Sequence, residues 1–396
     1  MNLQSLASED DDLLLDSIDK WLAKKVAPVA SALEHDDIYP ADLVEDMKAL
    51  GLFGALIKPE YGGLGLSALS YSRIVTRIAK EWMSLTGIFN SHLMMSLIVQ
   101  NYGTEAQCQY WLPRFATGEL RGGIGLTEPD AGTDLQAISC TARRDGDDYV
   151  VNGTKTWISN AIEGDLVALL VKTDTTAKPR HRGMTMLITP KRNPETGQPI
   201  SGMRTGRKLE KLGYKGIDSG ELIFEDYRCP ADMALIGGVE GKGFVMATGG
   251  LEIGRINVAA RSVGIAQRAL SESVRYSQIR RTMGKPICEH QAIQLKLADM
   301  ATQTRAAELL VEDAARAYDR GQRVDMEAGM AKYMASEAAL FVTTEAMRIH
   351  GGYGYSKEYV IERLYRDAPL MCIGEGTNEI QRIIIGKQIV ERNKVA

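Results

Sequence analysis

Three stretches of this chain mix glycine with acid, amide and hydroxyl residues more densely than ordinary packing requires. The first is Ile124–Gly125–Leu126–Thr127–Glu128–Pro129–Asp130–Ala131–Gly132–Thr133–Asp134, the second Trp157–Ile158–Ser159–Asn160, and the third Cys372–Ile373–Gly374–Glu375–Gly376–Thr377–Asn378–Glu379–Ile380. Glycine lets a backbone approach a ligand closely, so the first stretch reads either as a ligand-facing loop or as a surface turn. In the third, Glu375 lies between two glycines, after an apolar run and before a helix capped by Thr377 or Asn378. Its neighbours bring no bulk, so a ligand can reach the carboxylate, and a carboxylate within reach offers proton transfer. A solvated loop glutamate is the plainer alternative.

Much other chemistry is missing. Five cysteines (Cys108, Cys140, Cys229, Cys288, Cys372) lie far apart with no CxxC pair, which fits thiols in a reducing compartment better than a metal cage. The five histidines are scattered, with no HExxH and no EF-hand loop, and no GxSxG elbow is present, so no metal site is expected. Apolar residues are 44% and charged ones 25%, with a net charge of −4, which argues against disorder and against binding a phosphate backbone. No apolar run approaches the roughly 18 residues that span a bilayer. The opening MNLQSLASEDDD is acidic where targeting signals are basic, so a cytoplasmic protein is expected.

The elements that position these stretches fall into three parts: a helical domain over 1–121, a β domain over 122–236 and a helical bundle over 237–396. Leu14, Ile18, Trp21 and Lys25 form a helical stripe that Pro28 closes, and further helices are expected at Ala41–Leu50, Leu69–Ala79, Ile88–Asn101 and Glu105–Ala116. In the middle, Asn152–Gly153 between two β-branched runs predicts a hairpin turn, with strands at Leu166–Lys172, Met184–Thr189 and Gly220–Phe224. The stretch Thr173–Arg182 reads as a basic surface loop. Ile293, Leu297, Met300, Thr304, Ala307, Val311, Ala314 and Tyr318 trace a bundle seam ending at Gly321, followed by helices at Ser336–Ile349 and Ile380–Arg392. Gly63–Leu64–Gly65–Leu66–Ser67–Ala68 matches a dinucleotide GxGxxA, with Glu81 further on, but Lys58–Pro59–Glu60 breaks any strand leading into it. A turn between two helices fits better.

Taken together, the motifs LTEPDAGTD (126–134), NGTKTWISN (152–160), RRTMGKPICEHQAI (280–293), MRIHGGYGY (347–355) and GEGTNEIQR (374–382) resemble those of the acyl-CoA dehydrogenase family, in the family's order and over nearly the whole chain. The resemblance implies a mainly α fold with a central β-barrel-like or sandwich domain and a C-terminal four-helix bundle. It implies FAD held against the β domain by Ile124, Leu126, Thr127, Gly132 and Thr133, with Trp157 over a ring face, Ile158 beside it and Ser159 on the redox-active nitrogen. Arg280, Thr282, Met283, Gln291, Arg348, Ile349, Gly351 and Gly352 match residues that reach the FAD of a neighbouring subunit, and Thr377, Asn378 and Glu379 match contacts to the dinucleotide at a helix start. Thr133, Leu251, Glu252, Arg255 and Gly376 match substrate contacts. Met283 and Arg348 depart from a common phenylalanine and glutamine, and Arg348 offers a phosphate contact.

The reaction implied is α,β-dehydrogenation of an acyl-CoA to a trans-2-enoyl-CoA. Glu375 takes the α-proton and FAD the hydride, while the backbone N–H of the base and a ribityl hydroxyl polarise the thioester carbonyl. Electrons then pass to an electron-transferring flavoprotein, and the protein is expected to be a homotetramer. Oxidase-like and desulfinase-like relatives share these motifs, and a non-catalytic flavin and acyl-CoA scaffold is the rival from another class. Members that carry the base on the helix beginning near Leu251 have it where this chain has Gly254. Glu252 lies about 200° around that helix from it, which favours Glu375. Asn90, His92, Met94 and Met95 are candidates for the acyl pocket, and Gly374 stands where many straight-chain enzymes have tyrosine. Glutaryl-type relatives carry an arginine in the pocket helix, and Ser84–Asn90 here has none. An acyl tail without a terminal carboxylate is therefore expected.

Overall fold

The computed structural model describes residues 9–395, so the first eight residues of the acidic opening lie outside it. The N-terminal stripe buries Ile18, Trp21, Leu22 and Val26, with α1 (Glu9–Trp21) widening into Leu22–Val26 before Pro28. After α2 (Ala30–His35) and α3 (Ala41–Ala49) comes α4 (Ala68–Tyr102), started by Ser67, whose side chain accepts from the Ser70 amide. Where the spacing predicts two helices, Leu69–Ala79 and Ile88–Asn101, α4 is continuous. It is one helix in which Trp82 alone leaves helical geometry (φ −156°), and the weakly periodic stretch between the two expected pieces is held by burial of Trp82, Met83 and Leu85. Helix α4 is also long and apolar enough to cross a membrane, but 94% of its apolar window is buried inside the protein. The GxGxxA stretch is the turn leading into α4, with no strand before it. A capping box between Thr104 and Gln107 starts α5 (Glu105–Thr117).

The middle of the chain forms one seven-stranded sheet from β1 (Gly122–Gly125), β2 (Thr141–Asp145), β3 (Asp148–Ser159), β4 (Leu166–Lys172), β5 (Met184–Pro190), β6 (Met203–Lys208) and β7 (Ser219–Pro230). Its order is β1-β4-β2-β3-β7-β6, with β5 paired along β4. Strand β4 is buried on both sides. Leu166, Ala168 and Leu170 join the helical core, whereas Val167, Leu169 and Val171 join a separate core inside the β domain.

The expected Asn152–Gly153 hairpin turn is absent. The β2–β3 turn falls at Gly146–Asp147 instead, and β3 runs straight through Asn152 and Gly153 with a break in register against β7. Asn152 bulges out and exchanges hydrogen bonds with Asp226 at 3.0 and 2.9 Å. Gly153 (φ 141°) lies so near β2 that a Cβ would stand 2.7 Å from the Cys140 Cα. The pair marks a bulge and a close backbone approach.

A short α6 (Ala231–Ala234) leads to α7 (Gly243–Ile279), the small hairpin β8 (Arg281–Thr282) and β9 (Lys285–Pro286), and then α8 (Gln291–Asp319), α9 (Asp325–His350), α10 (Ile361–Ile373) and α11 (Asn378–Arg392). Met300, Thr304, Ala307, Val311 and Ala314 are buried along α8 as the seam requires, and Gly321 past its end has φ 69°. Helix α10 escaped the sequence reading because Pro369 lies inside it.

Candidate active site

Glu375 follows the end of α10 in a left-handed conformation (φ 54°), next to Gly376 at φ 88°. Seven non-glycine residues among those described have positive φ, and Trp157, Met283 and Glu375 are three of them. Such strain persists where the surroundings over-determine it. Here a lysine absent from the sequence expectations does so. Lys332 on α9, fully buried, donates to the carbonyls of Cys372 (3.2 Å) and Gly376 (2.9 Å) and to Asn378 Oδ1 (2.8 Å), bracketing Glu375 on both sides. Burial pulls its amine down to about 8. Gln381 adds bonds to the carbonyls of Glu375 and Gly376, both at 3.3 Å.

The carboxylate points back between α4 and α7. Asn90 Nδ2 donates to Oε1 at 3.1 Å, while Oε2 is buried without a partner. Across from it is Gly254, where a Cβ would stand 1.9 Å from Oε2. Burial raises the Glu375 carboxyl above the usual range, and the opposing pull of Arg261, Arg255 and the Asn90 bond does not cancel that. Asn90 is itself fixed: its Oδ1 accepts from Tyr71 (2.9 Å), whose oxygen accepts from Asn257 (2.7 Å). Of the other pocket candidates, Met94 reaches this spot, with its Cε 2.9 Å from the same Cβ position. His92 is held instead by the Phe115 carbonyl and the Gly122 amide, and Met95 packs towards Gly122.

Leu251 and Glu252 are half-buried one turn before Gly254, and Gly376 is exposed. Burial and the neighbouring Asp325 push the Glu252 carboxyl up to about 7, while Arg323 and Arg255 hold Asp325 below its ordinary value despite its burial. Arg255 stands 4.0 Å from Asp325.

The loop after β1 is tied down by a buried ion pair. Lys155 donates to Glu128 at 2.8 Å and to the Leu126 carbonyl at 3.0 Å, and Glu128 also accepts from the Ser139 and Cys140 amides. The Thr156 amide binds the Thr127 carbonyl at 2.9 Å. Leu126 and Thr127 thus stay beside the end of β3, where Ile124 and Ser159 are half-covered and Gly132 and Thr133 exposed. Trp157 (φ 60°) turns its indole outward, 58% exposed, and Ile158 turns inward to the β core.

A second group of expected residues lines an open cleft of about 770 Å³ between the end of α7 and the end of α9, including Arg280, Thr282, Met283, Ile349, Gly351 and Gly352. Gln291 is the first residue of α8 beside it. Tyr276 stacks on His350 at 4.3 Å, and His350 Nδ1 faces the Ala346 carbonyl, leaving Nε2 buried and unpaired at the cleft. Arg348 is bound at 2.5 Å to Glu345, which also takes Lys296. Asn378 turns its side chain inward to Lys332, Ser336 and Glu337, whereas Thr377 stands at the N-cap position of α11 with no side-chain bond to its first turn and Glu379 is exposed. The outward indole, the orphaned His350 nitrogen and the open glycines suit a large planar, hydroxylated cofactor. Among the described residues no cluster of His, Cys, Asp or Glu suits a metal.

Three family models cover the chain: acyl-CoA dehydrogenase N-terminal domain at residues 8–119, middle domain at 123–227 and C-terminal domain at 241–390. It is 40% identical to the acryloyl-CoA reductase (NADH) of Anaerotignum propionicum over 94% of both chains. With the mitochondrial short-chain specific acyl-CoA dehydrogenase of Bos taurus it shares 38% identity, over 97% of this chain and 90% of that one. It superposes with a TM-score of 0.92 on a chain solved in a study of the electron transferring flavoprotein of Acidaminococcus fermentans, at 36% identity over 98% of this chain and 100% of that one. Five separated motifs, three consecutive domain matches and the residues gathered around Glu375 converge: the chain belongs to the acyl-CoA dehydrogenase family and is an FAD-dependent oxidoreductase.

Proposed function

We propose that this enzyme dehydrogenates an acyl-CoA thioester between its α and β carbons, with Glu375 as the base. One observation carries the reading: a buried carboxylate, one oxygen unpartnered, facing Gly254, a helix position with no side chain. Desolvation raises its proton affinity towards that of a useful base, and Asn90 fixes its direction without neutralising it. The Glu375 amide is assigned to the thioester carbonyl, where a donor stabilises the charge that develops as the α-proton leaves. Bound FAD supplies the hydride acceptor. Ile124–Thr133, Trp157 and Ser159 would hold its ring end, and the cleft at Arg280–Gly352 would complete the site of a neighbouring copy in a homotetramer. Met283 (94% exposed) and Ile279 (70%) at that cleft are apolar surface that such a neighbour would cover. The likeness to the Acidaminococcus chain supports an electron-transferring flavoprotein as acceptor.

Anaerobic mixing with butyryl-CoA should bleach the bound flavin in wild type and leave it oxidised in Glu375→Gln. Bleaching at an equal rate in that variant removes Glu375 from the role. Kinship with the acryloyl-CoA reductase favours a second direction, in which protonated Glu375 delivers its proton to the α-carbon of an enoyl-CoA. Reoxidation of reduced holoenzyme by acryloyl-CoA would reveal it.

A further inference from the structure

Arg261, on α7 two turns beyond Gly254, is 5% exposed, yet no carboxylate lies within 4 Å of it among the described residues. Its Nη1 donates to the Tyr214 hydroxyl at 3.2 Å, and its Nε is buried with no partner at all. A guanidinium taken out of water normally finds a carboxylate, because a neutral hydroxyl does not balance its charge. The acid whose charge Arg261 affects most directly is Glu375, for which it is the foremost stabilising cation; Arg255 and Lys332 follow. Asp325 lies 4.0 Å from Arg255, whereas Arg261 has no such carboxylate beside it among the described residues.

Tyr214 is placed with care. It sits in a left-handed conformation (φ 57°), its amide donates to Asp367 at 2.6 Å, and a Cβ on Gly87 of α4 would stand 1.6 Å from its hydroxyl. Three elements therefore converge to present one hydroxyl to one buried arginine. A hydroxyl that accepts from Arg261 still has its own proton to give.

We propose that Arg261 and Tyr214 form a receptor for a terminal carboxylate on the acyl group, so that the preferred substrate is a short dicarboxylic acid carried as its mono-CoA thioester. This rests on the reading of Glu375 as the base, which fixes where the α-carbon lies and hence where the tail points. The expectation of an uncharged tail considered only the α4 stretch Ser84–Asn90; the folded chain brings the cation from α7. A site built to bond a polar group discriminates strongly against the analogue that lacks it.

The test compares succinyl-, glutaryl- and adipyl-CoA with butyryl-, valeryl- and hexanoyl-CoA, matched in length, on the purified holoenzyme. At least one diacid should exceed its matched monoacid at least tenfold in kcat/KM, Arg261→Gln should lower that ratio at least tenfold, and Arg261→Lys should retain part of it. Preference for every monoacid in wild type overturns the receptor while leaving the dehydrogenase intact, and wild type alone decides this if the variants do not fold. An equal loss on all six thioesters, with a shifted pH profile, also overturns it, because Arg261 would then serve only Glu375. Flavin-absorbance titrations in a Glu375→Gln background separate the two readings. Arg261-dependent preference for binding the diacid, with no flavin reduction by any thioester in wild type, sustains the receptor and sinks the dehydrogenase.

Discussion

The Glu375 loop and the Arg280–Gly352 cleft are both built at helix ends, but they are finished to different degrees. Around Glu375 the backbone carbonyls of Cys372 and Gly376 are bonded by one buried lysine, and the carboxylate is aimed by an asparagine that two further side chains fix. At the cleft, Arg280, Met283 and Gly352 stand open to solvent and His350 keeps a vacant nitrogen. The first site is set by the fold before any ligand arrives, as the proposed proton abstraction from a weak carbon acid requires. The second is an open cleft that this chain's own packing leaves uncovered.

The sharpest way to break the contrast is at the base itself. Glu375→Gln should cost at least ~10²-fold in turnover with flavin content unchanged, while Glu252→Gln, whose carboxyl is pushed up to about 7 by burial and Asp325, should be far milder; the reverse order would move the base to α7. The wild-type pH profile should agree. Because burial raises the Glu375 carboxyl, kcat/KM should fall on acidification through a pKa above the ordinary carboxylate range. Stability shows the opposite slope from this group: the folded state holds the proton more tightly, so its contribution is full at low pH and is lost as pH rises through the raised value.

Gly254→Ala comes next. Its new Cβ collides with the movable end of Glu375, so the melting temperature should barely change while kcat drops ~10-fold or more from misplacement alone. An alanine enzyme of normal kcat would show that Glu375 is not used where it stands. Lys332→Met removes three bonds from the loop and should cost about 1–3 kcal/mol by denaturant melt, with a lowered kcat. Unaltered melting would mean the loop holds itself. On the open side, Arg280→Ala should weaken FAD retention by about 1 kcal/mol, roughly fivefold on dilution, without touching the rate of fully loaded enzyme. The smallest effect belongs to Arg348→Gln: the Arg348 side chain is 63% exposed and Glu345 keeps Lys296, so the change should be about 0.5 kcal/mol or less in stability and nothing in FAD binding, unless Arg348 leaves Glu345 for a phosphate.

The glycines and helix start around Glu375 leave a solvated loop glutamate open, and it is the contiguous GEGTNEIQR motif, taken with four others, that singles it out. Lys332 and Arg261 carry no such mark, and Asn90 reads only as a pocket candidate, since their roles depend on carbonyls, a carboxylate and a hydroxyl lying 40 to 285 residues away. The bundle seam on α8 could be read from its spacing, but α10 was concealed by Pro369, a local breaker that burial of Leu364, Ala368 and Met371 overrides. Asn152–Gly153 failed for a related reason. The dipeptide permits a tight turn, yet the Asp226 side chain and the crowding against Cys140 decide that the strand continues.

The 1.9 Å between Glu375 and the vacant Cβ position at 254 also constrains how such an enzyme can change over time. On the proposed reading of Glu375 as the base, a side chain gained at 254 would first push aside the carboxylate already there, so a second acid on the helix would come at the expense of the first one's aim. The glycine would then act as a ratchet that favours keeping proton abstraction on the loop.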